Sequence, residues 1–83
     1  MNRRKLLRRL TNGDVRNVSF ADMVCLVEGF GFRQTRIRGS HQVFSCPTVA
    51  ELIVLQDVHG EAKPYQIRQF LRLVERYNLQ LED

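Results

Sequence analysis

Two histidines and a run of arginines are the side chains in this sequence that could carry out acid/base or phosphate chemistry. His41 directly follows Gly39-Ser40, and Arg36 and Arg38 lead into that tripeptide. Imidazole titrates close to neutral pH, so a histidine held in a fixed position can act as a general acid or base. Arginine presents a planar fork of donors that suits phosphate oxygens. The alternative is that His41 is a polar residue beside a turn with no chemical role.

His59 is the other histidine, and it lies in a predicted loop over residues 57–63. It would take the opposite proton-transfer role if that loop brought it near His41; otherwise it is a solvated loop residue. Asp57 and Glu61 flank it, but two scattered carboxylates do not make the cluster that a two-metal nuclease needs. The two cysteines and two histidines match no zinc site by spacing. We therefore expect neither a metal nor another cofactor.

Composition predicts one small basic domain. The 83 residues carry a formal net charge of +4, and 43% of them are hydrophobic, which is enough for one core and excludes a wholly disordered chain. An arginine-rich basic domain favours a polyanion as partner, with nucleic acid first and an acidic protein or membrane surface second; the charge could also serve solubility alone. We see neither a secretory signal nor an apolar run of the ~20 residues that span a membrane, and we expect a cytoplasmic protein with free thiols.

Two helices precede the arginines and His41. Residues 2–11 predict a short basic helix pinned by three leucines. Ser19 is a good N-cap for a second helix, whose apolar residues recur with a 3.6-residue period. Gly29 and Gly31 bracket the end of this second helix, as a C-cap requires. The basic arm over residues 1–18 either contacts phosphate or a partner, or is simply solvated.

Three strands follow the helices. Residues 32–38 and 41–46 predict a hairpin, and Gly39-Ser40 between them favours a type II′ turn, because only glycine enters its first position without steric cost. His41 then opens the second strand, but alternation alone does not settle which face of that strand meets the helices. Residues 51–56 are apolar on both faces of the predicted strand, which indicates a third strand covered on both sides.

The last helix begins at Pro64, a residue that suits the first helical turn. An apolar stripe runs along it, and Arg68, Arg72 and Arg76 recur every fourth residue on another face. Those arginines either track phosphates or form an ordinary solvated face. The order helix, helix, strand, strand, strand, helix predicts an α+β fold with a three-stranded antiparallel sheet and helices packed on one face.

Four segments, in this order along the chain, resemble the HicA family, the small toxins of bacterial toxin–antitoxin pairs. They contain a Gly-Phe pair after a short helix, the Gly-Ser-His hairpin turn, a histidine-containing loop and the start of the closing helix, and they span residues 28–32, 36–44, 58–60 and 63–71. Two positions depart from the family pattern. Gln42 stands where a second histidine often follows the first, and Cys46-Pro47 stands where His-Pro often ends the strand.

The resemblance implies a double-stranded-RNA-binding-like fold, α-β-β-β-α, with an extra helix at the N-terminus. The single domain over 1–83 then divides into the basic arm of residues 1–18 and a HicA-like core over 19–78. The resemblance also implies an endoribonuclease that acts on messenger RNA, with His41 as the catalytic residue. The implied partners are messenger RNA and a HicB-type antitoxin that covers the active site, with no direct contact to DNA and no membrane.

The predicted site combines these interpretations. Cleaving RNA without a metal requires a base at the 2′-hydroxyl, an acid at the leaving oxygen and positive charge at the phosphoryl oxygens. His41 is the catalytic candidate and His59 the candidate for a second acid or base. Ser40 either hydrogen-bonds the turn, which is the favoured role, or positions a phosphate. The RNA-binding candidates are Arg36, Arg38, Ser40, Lys63 and Arg68.

Two other functions stay open. The first is a non-catalytic RNA-binding module that uses the same basic surface and reads RNA by shape. The second is a protein-interaction domain whose basic face docks an acidic partner.

Overall fold

The computed structural model describes residues 2–82; Met1 and Asp83, the two ends of the predicted domain, lie outside the described residues. Within that range the elements are α1 (Arg3–Thr11), α2 (Phe20–Gly29), β1 (Arg33–Arg38), β2 (His41–Cys46), β3 (Val49–Val58), β4 (Glu61–Ala62) and α3 (Pro64–Arg76). The strands form one antiparallel sheet in the order β1-β2-β3-β4. The α+β class predicted from the sequence is confirmed.

The predicted number of strands is wrong, because the sheet has four strands rather than three. β4 lies inside the segment that was predicted to be a loop, and it pairs with Asp57 and Val58 at the end of β3. A two-residue strand shows no alternation of polar and apolar residues, so the sequence pattern cannot reveal it. The segment before α2 lies along the other edge of β4, where Ser19 bridges to Glu61.

The helices pack against one face of the sheet. Phe44 pairs with Ile53 in the β2–β3 ladder, and both side chains belong to the buried core. Because successive side chains of a strand alternate, His41 and Val43 lie on the opposite face. The face of β2 that meets the helices, which the sequence left open, is therefore the one that carries Phe44. We call that side the open face; on β1, β2 and β3 it carries Arg36, Arg38, His41, Val43, Val54 and Gln56.

The core joins all three helices to the sheet. The ring of Phe70 on α3 contacts Phe30 and Phe32 edge-on, with ring centroids 5.3 and 6.0 Å away. Burying a phenylalanine contributes about 1.5–3 kcal/mol, so this cluster anchors α3 firmly. Ser19 caps α2 as predicted, since its hydroxyl accepts a hydrogen bond from the Asp22 N–H at 3.3 Å.

The N-terminal helix packs on the rest of the fold. Leu6 and Leu10 of α1 are buried in the common core. The Arg3 guanidinium donates to the Cys25 carbonyl of α2 at 2.7 Å. Gly29 permits this close approach, because an added Cβ there would lie 2.8 Å from Arg3 Cδ.

Candidate functional site

Two hairpin turns lie side by side at one end of the sheet. β2 begins where β3 ends: His41 pairs with Gln56, and the Asp57 N–H donates to the Ser40 carbonyl at 3.0 Å. His59 follows Gln56 by three residues, which at a strand rise of about 3.3 Å places its Cα no more than ~10 Å away along the chain. The topology therefore brings both histidines to the same end of the sheet, which we call the turn end.

The Gly39-Ser40 turn is tied to β3 by side-chain and backbone hydrogen bonds. Gly39 has a φ of +58°, whereas Ser40 is not among the positive-φ residues, which is the sign pattern of the expected type II′ turn. The Ser40 hydroxyl accepts from Gln56 Nε2 at 3.3 Å, in addition to the backbone bond with Asp57. Ser40 thus orders the turn, in line with the role favoured for it from the sequence.

A β-bulge in β1 directs two arginines to the face that carries His41. Gln34 pairs with Phe44, but the register then shifts, and Arg36 pairs with Val43 instead of Gln42. Without this extra residue, the alternation would turn Arg36 toward the helices. With it, Arg36 and Arg38 share the open face with His41, and all three side chains are exposed.

His59 occupies an unusual backbone conformation in the second turn. Its φ is +53° and that of Gly60 is +84°, the pattern of a two-residue type I′ hairpin. The Asp57 carboxylate accepts from the Gly60 N–H at 2.7 Å and so supports the turn. The imidazole is consequently presented at an exposed turn rather than inside a pocket.

The start of α3 reaches the same end of the sheet through Gln66. This side chain is only 4% exposed, and its Oε1 accepts from the Gln56 N–H at 2.8 Å. Lys63, one of the predicted RNA-binding residues, precedes the helix and lies with its Nζ 5.7 Å from the centre of the Tyr65 ring. Tyr65 is 53% exposed, and the sequence interpretation missed it. An aromatic residue beside a lysine at a helix start was the available signal.

Arg68 is the predicted residue that the fold sets apart from the arginines of β1. It is exposed on α3, and α3 packs against the face of the sheet opposite to the open face. The structure brings together His41, Arg36 and Arg38 on the open face, and it places Ser40, His59 and Lys63 at the same turn end.

A second polar cluster lies at the other end of β3, which we call the far end. Glu51 accepts from Arg76 Nη1 at 2.6 Å and from the Tyr77 hydroxyl at 2.5 Å. The Tyr77 hydrogen bond, supported by Arg76, lowers the pKa of the Glu51 carboxyl below its ordinary value. The same hydrogen bond to Glu51 raises the pKa of Tyr77.

Across residues 2–82, no group of three or more His, Cys, Asp or Glu side chains is placed to hold a metal ion. Nor does this part of the chain contain a helix long and apolar enough to cross a membrane. Comparison with known proteins found no matching family model, no matching curated protein and no matching solved structure.

Proposed function

We propose that this protein is a metal-independent endoribonuclease that acts on messenger RNA, with His41 as an acid/base residue. The observation that carries the proposal is the bulge in β1, which turns Arg36 and Arg38 to the exposed face that carries His41. The two guanidinium groups would hold the phosphodiester and stabilise the charge that develops on its oxygens. His41 would exchange a proton with the reacting ribose or with the leaving oxygen.

The reaction proceeds by attack of the 2′-hydroxyl on the adjacent phosphorus. A base removes the hydroxyl proton, and an acid gives a proton to the departing 5′-oxygen, so that the products are a 2′,3′-cyclic phosphate and a 5′-hydroxyl. His59 is the candidate for the role that His41 does not take, because both histidines lie at the turn end. Water is not a reactant in this step, and the proton balance closes between the two groups.

The resemblance to HicA supplies the biological setting of this proposal. The Gly-Ser-His turn, the basic surface and the helix that closes the fold support a toxin of a bacterial toxin–antitoxin pair, acting in the cytoplasm. Its partner would be a HicB-type antitoxin. The proposed fold relationship is a double-stranded-RNA-binding-like domain in which β4 is a short addition to the three-stranded sheet.

The direct test is cleavage of a single-stranded RNA by the purified chain in EDTA, followed by analysis of the product ends. His41→Ala should reduce the rate by about 10²–10⁴-fold, the usual contribution of a general acid or base. Gln42→Ala, one position along the same strand, is the matched control and should retain cleavage. Cleavage by His41→Ala at the wild-type rate, with the fold intact, would contradict the assignment of His41.

A non-catalytic RNA-binding module is the second candidate, and exposed Tyr65 beside Lys63 favours it, because an aromatic ring next to a cation can stack on a base. RNA affinity that falls as salt rises, with no cleavage by the wild type or by His41→Ala, would support this candidate. Absence of RNA binding at low salt would argue against both RNA functions and leave a basic domain that docks an acidic protein.

A further inference from the structure

β3 is much longer than the strand that pairs with its outer edge. It runs from Val49 to Val58, whereas β4 pairs only with Asp57 and Val58. No other strand within residues 2–82 pairs with this edge. The stretch of β3 before Asp57 is therefore a free sheet edge, which we call the β3 edge and define as residues 52–56.

The hydrogen-bond directions show which backbone groups face outward on the β3 edge. The Asp57 N–H points to β2, where it meets the Ser40 carbonyl, and the Gln56 N–H points the other way, to the Gln66 side chain. Because these directions alternate along the regular stretch of the ladder, which ends at Ile53, the backbone groups of Val54 also point outward. The Gln66 side chain shows that this edge accepts a hydrogen-bonding partner, and it fills one position only.

The two free edges of the sheet differ in their protection against strand pairing. β1 carries Arg33, Arg36 and Arg38 and contains a bulge, the devices that keep a sheet edge from pairing with other chains. The β3 edge has no charged residue and no proline. Its Leu52 and Val54 are 55% and 37% exposed. β3 also has a register irregularity, between the pairs Phe44–Ile53 and Cys46–Val49, but residues 53–56 pair regularly with β2. An apolar edge of this kind is suited to a partner strand.

Helix α3 forms a wall beside the β3 edge. A cleft of about 260 Å³ between the two is lined by Glu51, Leu52, Gln69, Arg72, Leu73 and Arg76. Arg76 is paired with Glu51, so the charge of Arg72 dominates the wall within the described residues. A groove between a strand edge and a helix binds extended peptides through main-chain hydrogen bonds, while its side chains select the sequence.

We propose that the β3 edge and α3 form a docking groove for an extended acidic segment of another protein, which adds a strand to the sheet. Outward N–H and C=O groups are matched best by the backbone of another strand. The exposed side chains of the edge are aliphatic, unlike the aromatic platforms that bind single-stranded RNA. A second copy of this chain is disfavoured, because edge-to-edge pairing would bring two positively charged α3 walls together. His41 does not line the groove, so peptide docking and RNA cleavage can be tested separately.

The test uses the full chain and a blocked synthetic peptide of about six residues, a typical strand length, in which glutamate alternates with valine. Backbone amide shifts in NMR spectra should change at Leu52 and Val54 when the peptide is added. The matched control peptide is N-methylated at alternate residues, which keeps its charge and removes its ladder donors. The control should not bind.

Variants of the protein separate the contribution of backbone hydrogen bonds to peptide binding from that of the Arg72 charge. Val54→Pro removes an outward N–H that makes no bond to β2, and should weaken peptide binding about tenfold, the effect of losing roughly one hydrogen bond. Arg72→Glu should weaken it about fivefold or more. Arg8→Glu makes the same charge change on α1 and should have little effect, and His41→Ala should bind the peptide like the wild type.

Four outcomes would overturn the proposal. They are equal binding of the N-methylated peptide, equal loss in Arg72→Glu and Arg8→Glu, dimerisation of the free chain through the β3 edge, and shifts at Leu52 and Val54 caused by an oligouridine instead of the peptide. If Val54→Pro does not fold, the N-methylated peptide against the wild-type chain still decides the question.

Discussion

The two ends of β3 carry polar side chains that are held in different ways. At the far end, Glu51 receives hydrogen bonds from Tyr77 and Arg76 and links the start of β3 to the end of α3. At the turn end, His41 and His59 are exposed, and among residues 2–82 neither imidazole makes a hydrogen bond or ion pair. Backbone geometry positions the histidines, whereas side-chain partners hold Glu51.

This difference separates polar groups that link two elements from polar groups that are left accessible. Two donors favour the ionised form of a carboxylate, and here they tie two elements together. An exposed imidazole on a defined backbone keeps both ring nitrogens accessible from solvent. The exception at the turn end is Gln66, whose buried side chain makes a structural link there.

The largest effect on stability is expected from removing the hydrogen bond that Gln66 makes at the turn end. Gln66→Leu keeps the side-chain volume but leaves the Gln56 N–H without its acceptor. Loss of a buried partner costs about 1–3 kcal/mol, which urea unfolding would measure. Gln69→Leu, on an exposed position of the same helix, should change the free energy of unfolding by less than about 0.5 kcal/mol. Equal stability of Gln66→Leu and the wild type would show that the Gln66 link is unimportant.

The next effect concerns the turn that presents His41. Gly39 has a positive φ, and a Cβ added there would meet no atom within 4 Å, so Gly39→Ala introduces backbone strain without a steric clash. The expected cost is about 1–2 kcal/mol. Gly39→Asn should cost less, because asparagine tolerates positive φ better. Thermal unfolding of the two variants checks this order, and equal costs would speak against a backbone origin.

A smaller effect on stability, with a larger one on activity, is expected at the second turn. His59→Asn places the residue that type I′ turns prefer at a φ of +53°. The free energy of unfolding should stay within about 0.5 kcal/mol of the wild type. RNA cleavage should fall by about 100-fold or more if His59 is the second acid or base. Unchanged cleavage would leave His59 as a turn residue only.

The smallest effect is expected at the far end, where solvent reaches the Glu51–Arg76 ion pair and screens it. The pKa of Glu51 is lowered on folding from its ordinary 4.5. Its contribution to stability is therefore present above pH 4.5 and is lost as the pH falls through the folded pKa. The melting temperature of Glu51→Gln should fall less than that of the wild type between neutral and acidic pH.

The matched control for this pH experiment is Glu75→Gln, on the exposed side of α3. Its melting temperature should follow the wild-type pH dependence. Tyr77→Phe should reduce the acid dependence as Glu51→Gln does, because the Tyr77 hydroxyl is the main cause of the shift. If the melting temperature of Tyr77→Phe fell as steeply with acid as that of the wild type, the Tyr77 hydroxyl would not be what lowers the pKa of Glu51.

Local signals in the sequence predicted the elements well. Ser19 as an N-cap, Pro64 at the start of α3 and the turn at Gly39 depend on neighbouring backbone atoms, and all three agree with the structure. The strand over residues 41–46 also has the predicted bounds. Caps and turns depend on residues a few positions apart, so the local sequence is enough to predict them.

Longer-range features were not recognised. β4 forms a hairpin with the end of β3, and its other edge is covered by the segment before α2, where Ser19 bridges to Glu61 from more than forty residues away in the chain. The bulge that turns Arg36 to the open face depends on the register with β2. The helical period does not show that Gln66 bonds to the end of β3. Nor does it show that Tyr65 is exposed.

By itself, the sequence determined an α+β domain, the hairpin turn and the position of His41 at the start of a strand, because turn and cap preferences act over a few residues. Only the tertiary structure decided which face His41 and the two arginines of β1 share, and that His59 lies at the same end of the sheet. Those facts follow from strand register and pairing between distant segments, where a shift of one residue moves every side chain to the other face.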